Sequence, residues 1–241
     1  MKPVCLVFGA GAGIGGTVAA KFAEEGYHSF LCRRSDQEGL DKLIGDIEAS
    51  GGSASGQLLN AIEEDAIEEV INKVESEVGP IEVVIYNLGA QTGMKLLSQT
   101  TYKEFEWGWK MASFGLFRVA KMLCPLMVER GKGTILVTSA TAAMRGNATQ
   151  HSHAAAMAAR RMLCQSLNAE FSSKGIHVAH IIVDGAVDAP DTLGKMLGPE
   201  MYQQLRETKG MEHDGLLLPK EIAKTYYHLS CLLYTSPSPR D

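Results

Sequence analysis

Four glycines, Gly9, Gly11, Gly13 and Gly15, alternate through VFGAGAGIGGTVAAKF, after a short apolar run and ahead of helix-forming residues. Without side chains they let a pyrophosphate approach the backbone, and the N–H groups at a helix start favour its charge. The turn that would face such a phosphate also includes Ile14. A second position bears on the same ligand, since FLCRRS ends the next apolar run with Arg33 and Arg34. At this place in a dinucleotide site an acid accepts from a ribose 2′-hydroxyl, whereas an arginine accommodates a 2′-phosphate. The pair therefore predicts NADP(H) in preference to NAD(H); a solvated surface pair is the other reading. A third segment, HSHAAAMAARR at 151–161, carries two histidines. An imidazole with its ordinary pKa of about 6.5 can exchange a proton at neutral pH. Metal binding is not predicted, because two histidines lack the i, i+4 spacing of a helical zinc pair and no nearby Asp, Glu or Cys completes a set.

Short apolar runs at 3–8, 28–32, 82–87, 134–139 and 177–183 read as strands buried on both faces, as parallel strands covered by helices do. Helices are predicted at about 14–26, 37–50, 63–78, 102–130 and 154–173, ended by Gly26, Gly51, Gly79 and Gly175. This alternation predicts an α/β fold, a Rossmann-type doubly wound parallel sheet in a three-layer α/β/α single domain. Residues 189–218 break the rhythm with glycines, two prolines and one short amphipathic piece, and read as a lid or substrate loop, or else as a plain surface loop. Met196, Met201 and Tyr202 within them hint at an apolar pocket. The last eleven residues, CLLYTSPSPRD, are what a transposase-type sequencing adapter encodes in frame. The expectation is a nucleotide-binding domain over 1–230, truncated before its last strand, and an adapter-derived tail over 231–241.

The 241 residues are 45% hydrophobic, enough for one well-buried core. A net charge of −5 gives no global attraction for nucleic acid or anionic lipid. Five cysteines without a CxxC pair suit a reducing cytoplasm, the expected location. No apolar run reads as a secretory signal or a bilayer span, so no membrane partner is expected.

GAGAGIG at 9–15 matches the GxxxGxG pattern of the short-chain dehydrogenase/reductase superfamily, and YNLGA at 86–90 is similar to its NNAG segment. GTILVTSATAAMRG at 133–146 resembles its fifth strand and serine loop, and LNAEFSSKGIHVAHIIVDGAV at 167–187 its fifth helix, sixth strand and following turn. The likeness covers about residues 3–230. It implies that Gly9, Gly13 and Gly15 line the pyrophosphate, and that Asn60 stands where the family has an adenine-contacting aspartate. Asn87 and Gly89 would lie against the adenosine ribose, and Gly185 and Val187 would flank the nicotinamide carboxamide, with Asp184 in place of the usual proline. It also implies a small-molecule carbonyl or alcohol substrate, and pairing of copies through the fourth and fifth helices.

In that family a tyrosine exchanges the proton as hydride moves, and a lysine four residues on lowers its pKa and holds the nicotinamide ribose. A serine polarises the substrate oxygen, and an asparagine holds a water in a proton relay. Counting back from Glu170 puts His153 at the tyrosine and Met157 at the lysine, with no lysine between Lys132 and Lys174 to replace it. Matching GLF at 115–117 puts Ala112 at the asparagine. A gapless count puts Ala140 at the serine, one residue from both Ser139 and Thr141. Two functions are open. One is an NADP(H)-dependent oxidoreductase using His153 and a hydroxyl such as Ser139. The other is a catalytically silent dinucleotide-binding protein acting as a sensor, regulator or partner subunit. Standard tetrad chemistry is expected in neither.

Overall fold

Every residue of β1 (Val4–Phe8) is buried, because alternate side chains feed two separate cores. Val4, Leu6 and Phe8 join one core, and Cys5 and Val7 the other. The computed structural model, which describes residues 2–89, 93–208 and 215–232, shows what covers each face. Helices α1 (Ile14–Glu24) and α2 (Gln37–Ala49) pack on the Cys5 side through Val18, Phe22, Leu40 and Ile47. On the other side lie α3 (Ala66–Lys73), α5 (Gly115–Arg130) and α6 (His151–Phe171), contributing Ile67, Val70, Val119, Leu123 and Leu167. The expected single-domain, three-layer α/β/α arrangement is therefore present.

The sheet itself has six parallel strands. To β1 are added β2 (His28–Arg33), β3 (Ser53–Leu58), β4 (Ile81–Tyr86), β5 (Gly133–Ala140) and β6 (Ile176–Val183), in the order β3-β2-β1-β4-β5-β6. The chain leaves β1 toward β2 on one side and returns to β4 on the other, which opens a crevice beyond the strand ends. Register sets what faces that crevice: Phe8 stands beside Cys32 and Tyr86, and Tyr86 beside Val137. Gly9, Arg33, Asn87 and Thr138 consequently lie along one rim.

Several elements depart from the sequence reading. β3, SASGQL, is an edge strand in which only Ala54 is fully buried, and so it has no apolar run to reveal it. Its small residues have a packing reason, since a Cβ on Gly56 would lie 2.4 Å from the Leu31 carbonyl oxygen. α3 begins at Ala66, after Asp65 takes the left-handed φ of 57°, and runs on into a wider π turn at Val74–Val78. α6 begins at His151 instead of 154, so both histidines belong to its first turn. The stretch 102–130 is α4 (Tyr102–Trp109), a π turn at Lys110–Phe114 and α5 in succession. Contrary to the run-by-run expectation, it is long and apolar enough to cross a bilayer by length and composition, but more than half of its most apolar window is buried in the fold. The 189–218 insert contains a π turn, α7 (Lys195–Leu197) and α8 (Pro199–Thr208), with Met196 and Met201 exposed instead of lining a pocket. An unanticipated α9 (Pro219–Cys231) adds Ala223 and Tyr226 to the Cys5 core. The rest of the supposed tail, 233–241, lies outside the described residues.

An ion pair anchors the first half of α5. The Arg118 Nε donates to Glu68 Oε1 at 2.9 Å and its Nη2 to Oε2, while Nη1 reaches the carbonyls of Ala61 and Glu63, both at 3.0 Å. The guanidinium holds the Glu68 carboxyl below the usual carboxylate range. Replacing Arg118 with Met should lower stability by about 2–3 kcal/mol at neutral pH, because it orphans Glu68 and two carbonyls. Since Glu68 has its pKa depressed in the fold, the pair contributes above the unfolded value of about 4.3 and is lost as pH falls through the lower folded one. Urea midpoints should therefore differ clearly at pH 7 and converge on acidification; equal midpoints at pH 7 would refute this role.

Candidate functional site

The four glycines have different reasons to be bare. Gly9 takes φ +89°, and a Cβ there would lie 2.9 Å from the Asn87 carbonyl oxygen. A Cβ on Gly15 would lie 2.1 Å from the Gly9 carbonyl oxygen, and one on Gly13 2.9 Å from the Ala189 Cβ. These three are demanded by the chain's own packing. Gly11 is not: nothing lies within 4 Å of a Cβ built there. Its missing side chain leaves open the space at the start of α1, where no side chain caps the helix and no acid sits in the first turn. The first-turn N–H groups thus meet a cradle that suits an anionic pyrophosphate.

That cradle is one end of a cleft of about 560 Å³. Gly9, Gly11, Gly13, Ile14, Gly15, Arg33 and Arg34 line this end. Arg33 is held by Asp36, Nη2 to Oδ2 at 2.6 Å, while Arg34 is exposed. Asn87 and Gly89 line the middle, and the Asn87 Nδ2 donates to the Gly9 carbonyl at 3.0 Å, tying β4 to the glycine turn. Val187 also lines the cleft, as do Ala189 and Thr192 of the insert. Asn60 and Gly185 are not among the lining residues; Asn60 turns its Nδ2 to Glu63 Oε1 at 2.8 Å.

At the opposite end are Thr138, Ser139, Ala140, His153, Met157 and Arg160. His153, Met157 and Arg160 follow one another at i, i+4 and i+7, so one face of α6 presents all three. His151 is not among the lining residues. The structure resolves the one-residue ambiguity in the serine loop: Ser139 is buried at the cleft and Thr141 is not part of its wall. The Ser139 Oγ donates to the Met157 Sδ at 3.7 Å, a weak sulfur acceptor. Ala112 lies in a small cluster with Ala142, Ala143, Ala156 and Met157, and neighbouring Ser113 is engaged with the Ala156 carbonyl at 2.9 Å. No side-chain amide stands at that position.

Arg160 was not anticipated. It is only 1% exposed, yet it is one of the residues that line the cleft. Nε donates to the Ala112 carbonyl at 3.0 Å, Nη1 to Thr138 at 2.6 Å and Nη2 to Leu88 at 2.6 Å. The group also lies 5.2 Å from the centre of the Tyr86 ring. Tyr86 in turn donates to the Met111 carbonyl at 2.5 Å. Both accepting carbonyls, Met111 and Ala112, belong to the π turn, whose looser ladder leaves oxygens for partners outside the helix. In sequence the Arg160–Arg161 doublet lies inside the predicted 154–173 helix and resembles any charged pair on a solvated helix face. Its i+3 distance from Met157 on an otherwise apolar face was the available signal.

Residues 3–194 match the short chain dehydrogenase family. The chain is 29% identical over 191 residues to the 3-oxoacyl-(acyl-carrier-protein) reductase FabG of Thermotoga maritima, covering 78% of this chain and 76% of that protein. A crystal structure of a short-chain dehydrogenase from Rhodopseudomonas palustris superposes with a TM-score of 0.79 at 30% identity, covering 98% of this chain and 95% of that one. L-sorbose reductase from Gluconobacter frateurii, solved with NADPH and L-sorbose, superposes with a TM-score of 0.84 at 22% identity, covering 98% and 92%. The chain belongs to the short-chain dehydrogenase family, as a member that keeps the serine, Ser139, but carries a methionine, Met157, and a histidine in place of the lysine and tyrosine of its catalytic tetrad.

Proposed function

We propose that the cleft binds NADP(H), with Gly9, Gly11, Gly13, Ile14 and Gly15 on the pyrophosphate and Arg33 and Arg34 at the 2′-phosphate. The observation that carries this reading is the open cradle at Gly11, a bare position that the fold itself does not need. Arginines instead of an acid at the end of β2 support the phosphorylated cofactor. So do the NADP(H)-bound structures among similar proteins, including L-sorbose reductase. Asn87 and Gly89 would follow the adenosine side, and Gly185 and Val187 the nicotinamide. Asn60, turned toward Glu63, would reach the adenine only after releasing that bond.

Bound there, NADPH supplies hydride to a carbonyl carbon. His153 would donate the proton and Ser139 would hold the oxygen of a small carbonyl or alcohol substrate. Against efficient turnover stand two features. The Ser139 proton is directed at Met157, and the Ala112 carbonyl is occupied by Arg160. A general acid is typically worth about 10²–10⁴ in rate and an oxyanion donor about 10²–10³. These features favour the second reading, a nucleotide-binding sensor, regulator or partner subunit with slow chemistry or none. Pairing of copies through α4, α5 and α6 is part of the proposal, supported by the exposed stack of Trp109, Phe114 and Phe117. A mass of two chains by light scattering is the expected result, and a single-chain mass would refute it.

Gly11→Val should leave the melting temperature nearly unchanged but weaken NADPH binding by about ten-fold or more, since the added group fills only the cradle. Equal affinity in calorimetry would contradict the placement. Arg33→Asp with Arg34→Ala should remove the preference for NADPH over NADH. For catalysis, NADPH consumption over a panel of carbonyls should be slow, and His153→Ala should abolish whatever rate exists. A rate untouched by that change would exclude His153. If the parent is silent, restoring His153→Tyr, Met157→Lys and Ala112→Asn together should create turnover.

A further inference from the structure

The charge around the cleft is one-sided. Its described wall contains Arg33, Arg34 and Arg160 and no aspartate or glutamate, in a chain whose net charge is −5. At the phosphate end Arg33 already has Asp36 as a counter-charge. At the other end, among the described residues, Arg160 has no acidic partner. Its three acceptors are neutral carbonyls. The ionisable groups around it, Tyr86, Cys164 and Tyr226, are a thiol and two phenols whose burial opposes ionisation. His180 of β6 is kept neutral as well, its pKa pushed down to about 4 by burial and by Arg160 and Arg161. Almost fully buried, the Arg160 charge is weakly screened, and a guanidinium does not lose its proton in a protein.

Met157 therefore does not leave this end of the cleft without a cation. A fixed one stands three residues later, pinned by three carbonyls from three segments of chain. Nicotinamide is sensitive to such a charge, because its oxidised ring is positive and its reduced ring is neutral. We propose that Arg160 makes this cleft selective for the reduced dinucleotide, so that it binds NADPH and discriminates against NADP+. The inference rests on the reading of the cleft as an NADP(H) site. It gives the reductive direction to any turnover, and it gives a protein without turnover a quantity to report, the NADPH level.

The test is equilibrium binding of NADPH and of NADP+ to the full chain, by calorimetry, with no substrate present. The wild-type protein should bind NADPH about ten-fold or more tightly than NADP+, the scale of one unit charge acting on a second across about 10 Å at an effective dielectric of about 20. Arg160→Lys should keep most of that ratio, whereas Arg160→Met should bring it to within about three-fold. Arg118→Met, which removes a comparable fork that does not line the cleft, should lower stability and leave the ratio as in wild type. Equal affinities in wild type, or an undiminished ratio in a folded Arg160→Met, would overturn the proposal while leaving NADP(H) binding intact. Absence of binding by either form would overturn both. If Arg160→Met does not fold, the wild-type ratio and its retention in Arg160→Lys decide.

Discussion

The guanidinium of Arg160 joins three pieces of chain at the Ser139 end of the cleft. Leu88 follows β4, Thr138 lies in β5, and Ala112 sits in the π turn between α4 and α5. A charge taken out of water is costly unless it is hydrogen-bonded, and here each nitrogen of the side chain has a carbonyl. The cost and the geometry are therefore coupled: the charge can stay buried only while the three segments stay together. The π turn belongs to the same arrangement, since it supplies the Ala112 carbonyl to Arg160 and the Met111 carbonyl to Tyr86. Gly115 lets the two approach, as a Cβ there would lie 2.2 Å from the Tyr86 hydroxyl.

This constraint changes what the lost tetrad residues mean. In a typical family member the lysine and asparagine hold a chain of exchangeable protons. Here the same neighbourhood is filled by methionine, alanine and a guanidinium that cannot pass a proton on. This end of the cleft holds a buried guanidinium pinned by three carbonyls. His153, half-buried at the first turn of α6, lines the same cleft. The Gly11 end keeps an open, uncapped helix start that suits an anion, so in the proposed reading binding and chemistry separate along the length of one cleft.

How much of this was legible in the sequence depended on whether local chemistry or tertiary context set each residue. The glycine turn was readable because a bare backbone between strand and helix has few other uses, although of its four glycines only Gly11 is not required by packing. The parallel strands announced themselves by continuous apolar runs, and β3 did not because an edge strand buries too little. The replacement of lysine by Met157 followed from counting along one rigid helix. Counting through the loop after β5 fell one residue short, at Ala140 instead of Ser139, because loop length is not fixed by periodicity. Arg160 was invisible for a deeper reason: a charged doublet on a helix reads as solvated until three distant carbonyls are seen to converge on it.

The central claim, that a dinucleotide lies between the Gly11 cradle and the Arg160 end of one preformed cleft, is tested most directly by a crystal structure of the chain with NADPH. The account predicts the pyrophosphate on the first turn of α1, the 2′-phosphate at Arg33 and Arg34, and the nicotinamide at Ser139 and Met157 with Arg160 still bound to its three carbonyls. Nucleotide density elsewhere, or an Arg160 drawn away from Leu88 and Thr138, would contradict it.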